Sequence, residues 1–245
     1  MMSNFTINTL NLFFNLPLHA HQIQQWRGAF IEMGGWEDSL FHNHKTKDTY
    51  HYRYPLIQYR TARNRAALFA IGDGIPAFQS VLANNDWSLN WNGQSRTLQI
   101  VDVKSTQSEI KMLTTPETYR LRNWLALNRE NYKRWQNTTS LRDRVALLER
   151  VLAGQLLGFC TAIDYRLPER LEVSLENINC IQKVRLHGNP MIAFDVNYNA
   201  NIKLPEGIAL GKGKSIGFGY QCSKNKQVSA RSTVINKSLQ TLSQV

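Results

Sequence analysis

A short stretch in the first third of the chain concentrates side chains that can move protons. Three of the six histidines, His42, His44 and His51, lie close together, and Lys45 and Lys47 follow within five residues of His42. Imidazole is the side chain whose ordinary pKa lets it give and take protons near neutral pH. Two imidazoles can therefore serve one reaction as base and acid, while ammonium groups stabilise a developing anion.

This combination suits the cleavage of a phosphodiester through an adjacent 2′-hydroxyl. One histidine would deprotonate the 2′-oxygen, the other would protonate the leaving 5′-oxygen, and a lysine would stabilise the pentavalent phosphorane. Two other interpretations stay open from the residues alone, namely a solvated turn and a metal-binding pair. The metal is the weaker option, because the nearest cysteine is Cys160 and no Cys-x-x-Cys or His-Glu-x-x-His spacing occurs.

The elements around this stretch, which we call the histidine loop, would hold it in place. Residues up to Thr49 are polar, which predicts a loop, and the aromatic, β-branched run after it predicts a strand. Across the first hundred residues the pattern predicts strand 5–14, helix 18–33, strands 53–60 and 66–71, a second helix after Gly74 and a hairpin at Asn92-Gly93. The apolar phase slips near Thr9, which indicates a bulge or burial on both faces. The order β-α-β-β-α-β is typical of a ferredoxin-like domain.

The second half begins with a polar segment, 105–116, which we interpret as a domain boundary. A strand is predicted over 117–127, then a short basic helix over 128–136 whose rings either stack on RNA or pack inward. Ser140 and Asp143 form an N-cap signature for a longer helix. Its predicted core stripe is Leu141, Val145, Leu148, Leu152, Leu156 and Phe159. Strands are then predicted over 171–178, 180–187 and 191–202, with a turn at Asn189-Pro190.

A glycine-rich segment lies near the C-terminus, in the run 204–220. Glycines allow a backbone to approach a phosphate closely, and exposed amides with lysine ammoniums can hold it. The spacing matches neither a Walker loop nor a dinucleotide fingerprint. A glycine-rich hairpin is the structural alternative. The residues we predict to bind RNA are those of this segment and the basic helix: Gly207, Gly211, Lys212, Gly213, Lys214, Ser215, Gly217, Gly219, Arg129, Lys133 and Arg134.

The overall composition is that of a globular protein with a strong positive charge. Apolar and charged residues make up 42% and 19%, and 29 Lys+Arg against 18 Asp+Glu give a net charge of +11. Such a field favours a polyanionic partner, with nucleic acid ahead of an anionic membrane. The three cysteines show no pairing pattern, which fits a reducing cytoplasm. We expect no signal peptide, and no apolar run reaches the roughly 18 residues of a membrane span.

With both stretches in view, the sequence resembles the CRISPR-associated endoribonucleases that cut the precursor transcript within each repeat, in the repeat-associated mysterious protein superfamily. The specific match is Gly-Ile-Ala-Leu-Gly-Lys-Gly-Lys-Ser-Ile-Gly-Phe-Gly at 207–219. Further matches are Phe-His-Asn-His at 41–44, Tyr-Pro-Leu-Ile-Gln-Tyr at 54–59, Ile-Gly-Asp-Gly at 71–74 and Tyr-Arg-Leu-Arg-Asn-Trp-Leu-Ala-Leu-Asn at 119–128. The resemblance covers about residues 5–222.

The resemblance implies an α+β fold of two tandem ferredoxin-like (RRM-like) domains, which we place at 1–105 and 106–222, followed by a tail at 223–245. It implies cleavage without metal or other cofactor, leaving a 2′,3′-cyclic phosphate and a 5′-hydroxyl. Carried over to this sequence, His42 and His44 are the acid and base candidates, supported by Lys45, Lys47 and Tyr50. The second half shows no clear second helix, so its assignment is the less complete of the two.

The expected partner is CRISPR repeat RNA. Other CRISPR effector subunits and a second copy of the chain, in a homodimer, are further options, and no membrane is expected. Two alternative functions remain: a non-catalytic RNA-binding subunit of a CRISPR effector complex, and a nuclease of other RNA. A purely structural subunit has no need of the histidine loop.

Overall fold

The computed structural model describes residues 5–34, 44–46, 49–50, 54–82 and 87–223. The helices are α1 (Ile23–Gly34), α2 (Gly74–Leu82), α3 (Arg129–Asn137) and α4 (Leu141–Ala162), with 3₁₀ turns at Ala20–Gln22 and Lys214–Ile216. The strands are β1 (Phe5–Pro17), β2 (His44–Thr46), β3 (Thr49–Tyr50), β4 (Ile57–Ala62), β5 (Arg65–Ile71), β6 (Ser88–Trp91), β7 (Gln94–Thr97), β8 (Ile100–Trp124), β9 (Val173–Leu186), β10 (Asn189–Lys203) and β11 (Tyr220–Ser223).

The first half has the element order that its pattern predicts, but the strand predicted over 53–60 runs from Ile57 to Ala62 as β4. Along the chain its elements run β1, α1, β4, β5, α2 and β8, and in the sheet the strands lie in the order β4-β5-β1-β8. This is the ferredoxin-like arrangement, with antiparallel neighbours throughout. Ile23, Trp26 and Phe30 form the buried stripe of α1, as their helical spacing predicts.

The second half repeats the sheet order around the same long strand. β8 is followed by α4, β9, β10 and β11, and the strands lie in the order β9-β10-β8-β11. Where a second helix would connect β10 to β11, the chain instead forms the glycine-rich segment with its 3₁₀ turn at Lys214–Ile216. The predicted α+β fold of two tandem ferredoxin-like domains is confirmed.

One strand joins the two halves. β8 pairs with β1 through residues 100–110 and with β10 through residues 111–124. The polar segment 105–116, interpreted as a domain boundary, therefore lies inside a continuous strand. Seven of its twelve side chains are exposed and one, Ile110, is buried, so its polarity reflects solvent exposure. The division of the chain at 105/106 stays a prediction.

Two cores lie on opposite faces of the sheet, and β1 contributes to both. Ile7 belongs to the core beneath α4, whereas Leu12, Phe14 and Leu16 belong to the core beneath α1. The pairing of β1 is unbroken from Thr9 to Phe13. The phase slip predicted near Thr9 is therefore burial on both faces rather than a bulge, because alternate residues of a strand point to opposite faces.

Helix α4 begins as predicted, with the Ser140 hydroxyl accepting the Asp143 N–H at 3.3 Å. Leu148, Leu152, Leu156 and Phe159 are buried as predicted. Val145 is half-buried, and the prediction for Leu141 is wrong because its side chain is 70% exposed. By length and composition alone, α4 could cross a membrane. The sequence did not indicate this, because charged residues interrupt its apolar run. A core helix passes the same test, and Leu152 and Leu156 of α4 are fully buried in the protein.

The β9–β10 hairpin differs from its prediction in two details. The separate strands predicted over 171–178 and 180–187 are one strand, in which Asn179 forms a bulge between the pairs Ile178–Val196 and Cys180–Asp195. The turn lies at His187-Gly188, whose φ angles are 49° and 78°. Asn189 and Pro190, predicted as that turn, already belong to β10.

Candidate active site and nucleic-acid interface

The chain just before β4 and the glycine-rich segment lie against each other. Tyr54, three residues after His51, is buried, and its hydroxyl accepts the N–H of Ala209 at 3.1 Å. The Nζ of Lys214 lies 5.3 Å from the centroid of the Tyr54 ring, within cation–π range. Burial raises the pKa of Tyr54 to about 12, so the phenol stays protonated at neutral pH.

A second contact between the halves comes from Arg60 on β4. Its guanidinium donates to the Gln58 side-chain oxygen and to the carbonyl of Gly207, and it lies 4.2 Å from the Phe69 ring centroid. Gln58 in turn donates to the Tyr54 hydroxyl at 3.0 Å. Because burial disfavours the charge, the pKa of Arg60 falls to about 10, and the group remains protonated at neutral pH.

The glycine-rich segment packs tightly against the protein itself. Ile208 and Leu210 enter the core beneath α4, and Ile216 enters the core beneath α1. A Cβ on Gly217 would lie 2.6 Å from the Ile23 side chain, and one on Gly219, at φ +67°, would lie 1.7 Å from the Leu210 carbonyl oxygen. These glycines therefore have a structural reason for their presence, and a direct contact of their backbone with RNA stays a prediction.

The two lysines of the segment differ in environment. Lys212 is exposed, and its backbone N–H is fixed by the Leu125 carbonyl at 3.0 Å. Lys214 and Ser215 are half-buried in the 3₁₀ turn. Burial lowers the pKa of Lys214 because it disfavours the ammonium. Lys212 can pair with a phosphate at the surface, whereas Lys214 offers a charge whose position the protein constrains.

The predicted catalytic residues are described only in part. His42 and Lys47 lie outside the described residues. His44 and Lys45 belong to β2 and Tyr50 to β3, and the backbone pairs His44 with Tyr50 across this small hairpin. Their catalytic roles stay predictions. Among the described residues no group of three or more His, Cys, Asp and Glu is arranged to hold a metal ion.

Helix α3 carries the other predicted RNA contacts. Arg129, Lys133 and Arg134 are all exposed, with Arg134 paired to Glu130 on the same helix. Trp135 packs inward, its ring centroid 5.2 Å from that of Phe194. The sequence left open whether the rings of this helix pack inward or stack on RNA, and the structure divides them: Trp135 is buried, while Tyr132 is 37% exposed.

A cleft of about 490 Å³ lies between the face of the first half and residues 203–207. Thr9, Asn11 and Thr106 contribute hydrogen-bonding groups to its lining. The charged side chains of the cleft are Lys104, Lys203, Glu109, Glu117 and Glu206. Because acidic and basic groups are mixed there, and Lys203 already pairs with Glu109 at 3.6 Å, the cleft is not a strongly basic surface.

Sequence reasoning assigned no role to Tyr54, Gln58 or Arg60, although it quoted the first two within a matched motif. A signal was present for Gln58 and Arg60, because residues two apart in a strand lie on the same face. Two neighbouring polar groups on one face of an aromatic strand indicate a polar partner there. The pattern could not reveal that the partner is a backbone about 150 residues later, as the separation between Arg60 and Gly207 shows.

Family models match nearly the whole described chain. The model for the Cas6b N-terminal domain matches residues 5–109, and that for the Cas6b C-terminal domain matches residues 111–222. A curated protein of Methanocaldococcus jannaschii, "Uncharacterized protein MJ0978", is 30% identical over 96 residues, which is 39% of this chain. This chain covers 64% of that relative's length, slightly less than two thirds.

Solved structures share the fold over about nine tenths of the chain. A crystal structure of Cas6b has a TM-score of 0.79 at 23% identity, covering 89% of this chain and 100% of that one. The CRISPR RNA processing endoribonuclease Cas6b of a second crystal structure has a TM-score of 0.66 at 20% identity, with the same coverage. Csf5, a type IV Cas6 crRNA endonuclease, has a TM-score of 0.55 at 16% identity, covering 90% and 100%. The resemblance inferred from the sequence is confirmed.

Proposed function

This chain belongs to the Cas6b family, and from that membership we propose that it is an endoribonuclease that cuts CRISPR precursor RNA within the repeat. The observation that carries the proposal is that the models of both Cas6b domains match, in order, across residues 5–222. The position of the glycine-rich segment beside Tyr54 supports it further. The glycine-rich segment is about 150 residues from Tyr54 in sequence, yet its Ala209 N–H donates directly to the Tyr54 hydroxyl, three residues after His51.

The proposed mechanism is attack by the 2′-hydroxyl on the adjacent phosphate. His42 and His44 share the roles of general base and general acid, moving one proton from the 2′-oxygen and one to the 5′-oxygen. Lys45 and Lys47 stabilise the charge that develops on the phosphorane, and Tyr50, paired with His44 across the hairpin, supports that histidine. The products are a 2′,3′-cyclic phosphate and a 5′-hydroxyl, and no metal ion takes part.

The repeat RNA is held mainly by charge. The net charge of +11 attracts the polyanion, and exposed Lys212 and constrained Lys214 contact its phosphates. Arg129 and Lys133 of α3 add exposed basic groups, and Tyr132 offers a ring for stacking. We place this activity in the cytoplasm, where the precursor transcript is made.

The proposal is tested by incubating the full chain with end-labelled repeat RNA in excess EDTA, with a shuffled RNA of equal composition as the control. We expect one cut in the repeat RNA, a 2′,3′-cyclic phosphate on the 5′ fragment and no cut in the control. A gel shift without cutting, at every pH between about 6 and 9 where imidazole changes charge, would contradict it. That result would identify a non-catalytic RNA-binding subunit instead, and equal cutting of both RNAs would identify a nuclease of other RNA.

A further inference from the structure

The hydroxyl of Tyr54 joins the two halves of the protein at one oxygen atom. It accepts the Ala209 N–H at 3.1 Å and the Gln58 side-chain amide at 3.0 Å, in a buried environment. The ring packs on Phe159 of α4, with 5.1 Å between centroids at 65°. Its environment also includes the Lys214 ammonium, 5.3 Å from the centroid. One side chain thus contacts the backbone of the glycine-rich segment and the cation that the segment carries.

Arg60 fixes the start of the same segment. It donates to the Gly207 carbonyl while its guanidinium lies 4.2 Å and 5.0 Å from the ring centroids of Phe69 and Tyr220. Among the described residues no carboxylate pairs with it. Two hydrogen bonds therefore fix the segment against the first half of the protein, one from Arg60 to Gly207 and one from Ala209 to Tyr54.

We propose that Tyr54 is a positioning residue for RNA cleavage, which acts by holding the glycine-rich segment so that the Lys214 ammonium stays at one place beside the substrate. A lysine stabilises a transition state most when its ammonium group is already in position and does not have to move during the reaction. Tyr54 restricts Lys214 in two ways, through the ring beneath the ammonium and through the hydrogen bond to Ala209, five residues before it. The inference rests on the proposed function of this site.

Tyr54→Phe isolates the hydrogen bond. The phenyl ring keeps its packing on Phe159 and its face toward Lys214, but Ala209 and Gln58 are each deprived of the oxygen that accepts their N–H. A displacement of about 1 Å at a reacting group can lower a rate about 10²-fold. We expect the rate constant at saturating repeat RNA to fall about 10- to 100-fold, with RNA affinity changed by less than about threefold.

Tyr119→Phe is the matched control. Tyr119 is also buried, and its hydroxyl accepts the backbone N–H of Leu204 at 3.1 Å, with the Glu117 carboxylate and the Ile202 carbonyl as acceptors for its own proton. These contacts lie within the second half, outside the segment 207–219. Each variant removes a buried hydroxyl that accepts a backbone N–H and has further partners, so both should lower the melting temperature. Assayed below their melting temperatures, only Tyr54→Phe should lower the rate constant.

A double-mutant cycle with Lys214→Ala separates positioning from general destabilisation. If Tyr54 acts through Lys214, then Tyr54→Phe should lower the rate by less than about threefold once Lys214 is alanine. Equal rate reductions in both backgrounds, or a Tyr54→Phe rate within about threefold of wild type, would overturn the inference while cleavage by the wild type still supports the proposed function. No cleavage by the wild type would overturn the proposed function and the inference with it.

Discussion

Replacing Gly219 by alanine should destabilise the folded protein by about 3 kcal/mol. The residue has a φ of +67°, and a Cβ there would lie 1.7 Å from the carbonyl oxygen of Leu210. A left-handed backbone costs an ordinary residue roughly 1–2 kcal/mol, and overpacking adds typically about 1–3 kcal/mol. The obstacle is a backbone atom rather than the end of a flexible side chain, so both costs should apply together.

Gly188→Ala is the control for backbone strain alone. Gly188 has a φ of +78°, but nothing lies within 4 Å of the position its Cβ would take. For a chain of this size each kcal/mol shifts the melting temperature by roughly 2–4 °C. Gly219→Ala should therefore lower it by roughly 6–12 °C, while Gly188→Ala, which costs about 1–2 kcal/mol, should lower it about half as much. Equal shifts in thermal melts followed by circular dichroism would refute the claim that this glycine is required by contact with the protein's own backbone.

Three further predictions concern chemistry, binding and pH. His42→Ala and His44→Ala should each lower the single-turnover cleavage rate about 10²–10⁴-fold, with RNA affinity nearly intact. His51→Ala is the control and should lower the rate much less. Near-normal rates in both single variants would place the active site elsewhere. Joint replacement of Lys212 and Lys214 by alanine should weaken RNA binding and flatten its salt dependence, by about 0.7 log units per log unit of salt for each phosphate that the protein no longer neutralises. Binding like that of wild type across the salt series would make the segment purely structural. Because the pKa of Tyr54 is raised to about 12 from 10.0, its contribution to stability is fully present below pH 10.0 and is lost as the pH rises through about 12. The measurement is the tyrosinate absorbance during an alkaline titration of the folded protein. If every tyrosine ionises before the protein unfolds, the burial of Tyr54 is contradicted.

Local patterns were sufficient to predict the ferredoxin-like order of the first half. Helical spacing predicted α1, and the Asn92-Gly93 turn predicted the β6–β7 hairpin, because both depend on residues near one another in sequence. The same rules did not predict β8 as one strand. The polar run 105–116, interpreted as a domain boundary, lies inside that strand, and seven of its twelve side chains are exposed, so it lacks the apolar alternation that identifies a half-buried strand.

Arrangements that join distant residues could not be predicted from such patterns. The sequence placed Arg60 at the end of a predicted strand and assigned it no role, yet it is 8% exposed, because a carbonyl, a side-chain oxygen and two rings replace its water. The glycine-rich segment was interpreted as a phosphate-binding loop, and its residues turned out to pack against Ile23 and Leu210 as well. The glycines indicated that another group comes very close to this backbone. Only the fold shows that some of the atoms in close contact belong to the protein itself.

The central claim, that the 2′-hydroxyl of the RNA is the attacking group, is tested most directly by one atom of the substrate. A repeat RNA with a single 2′-deoxy nucleotide immediately 5′ of the cut should bind with unchanged affinity and resist cleavage at that position, because the nucleophile is missing. The matched RNA with the 2′-deoxy nucleotide on the 3′ side of the cut should be cleaved normally. Cleavage of the first RNA at the wild-type rate would show that water attacks the phosphate, and would contradict the mechanism proposed for the two histidines.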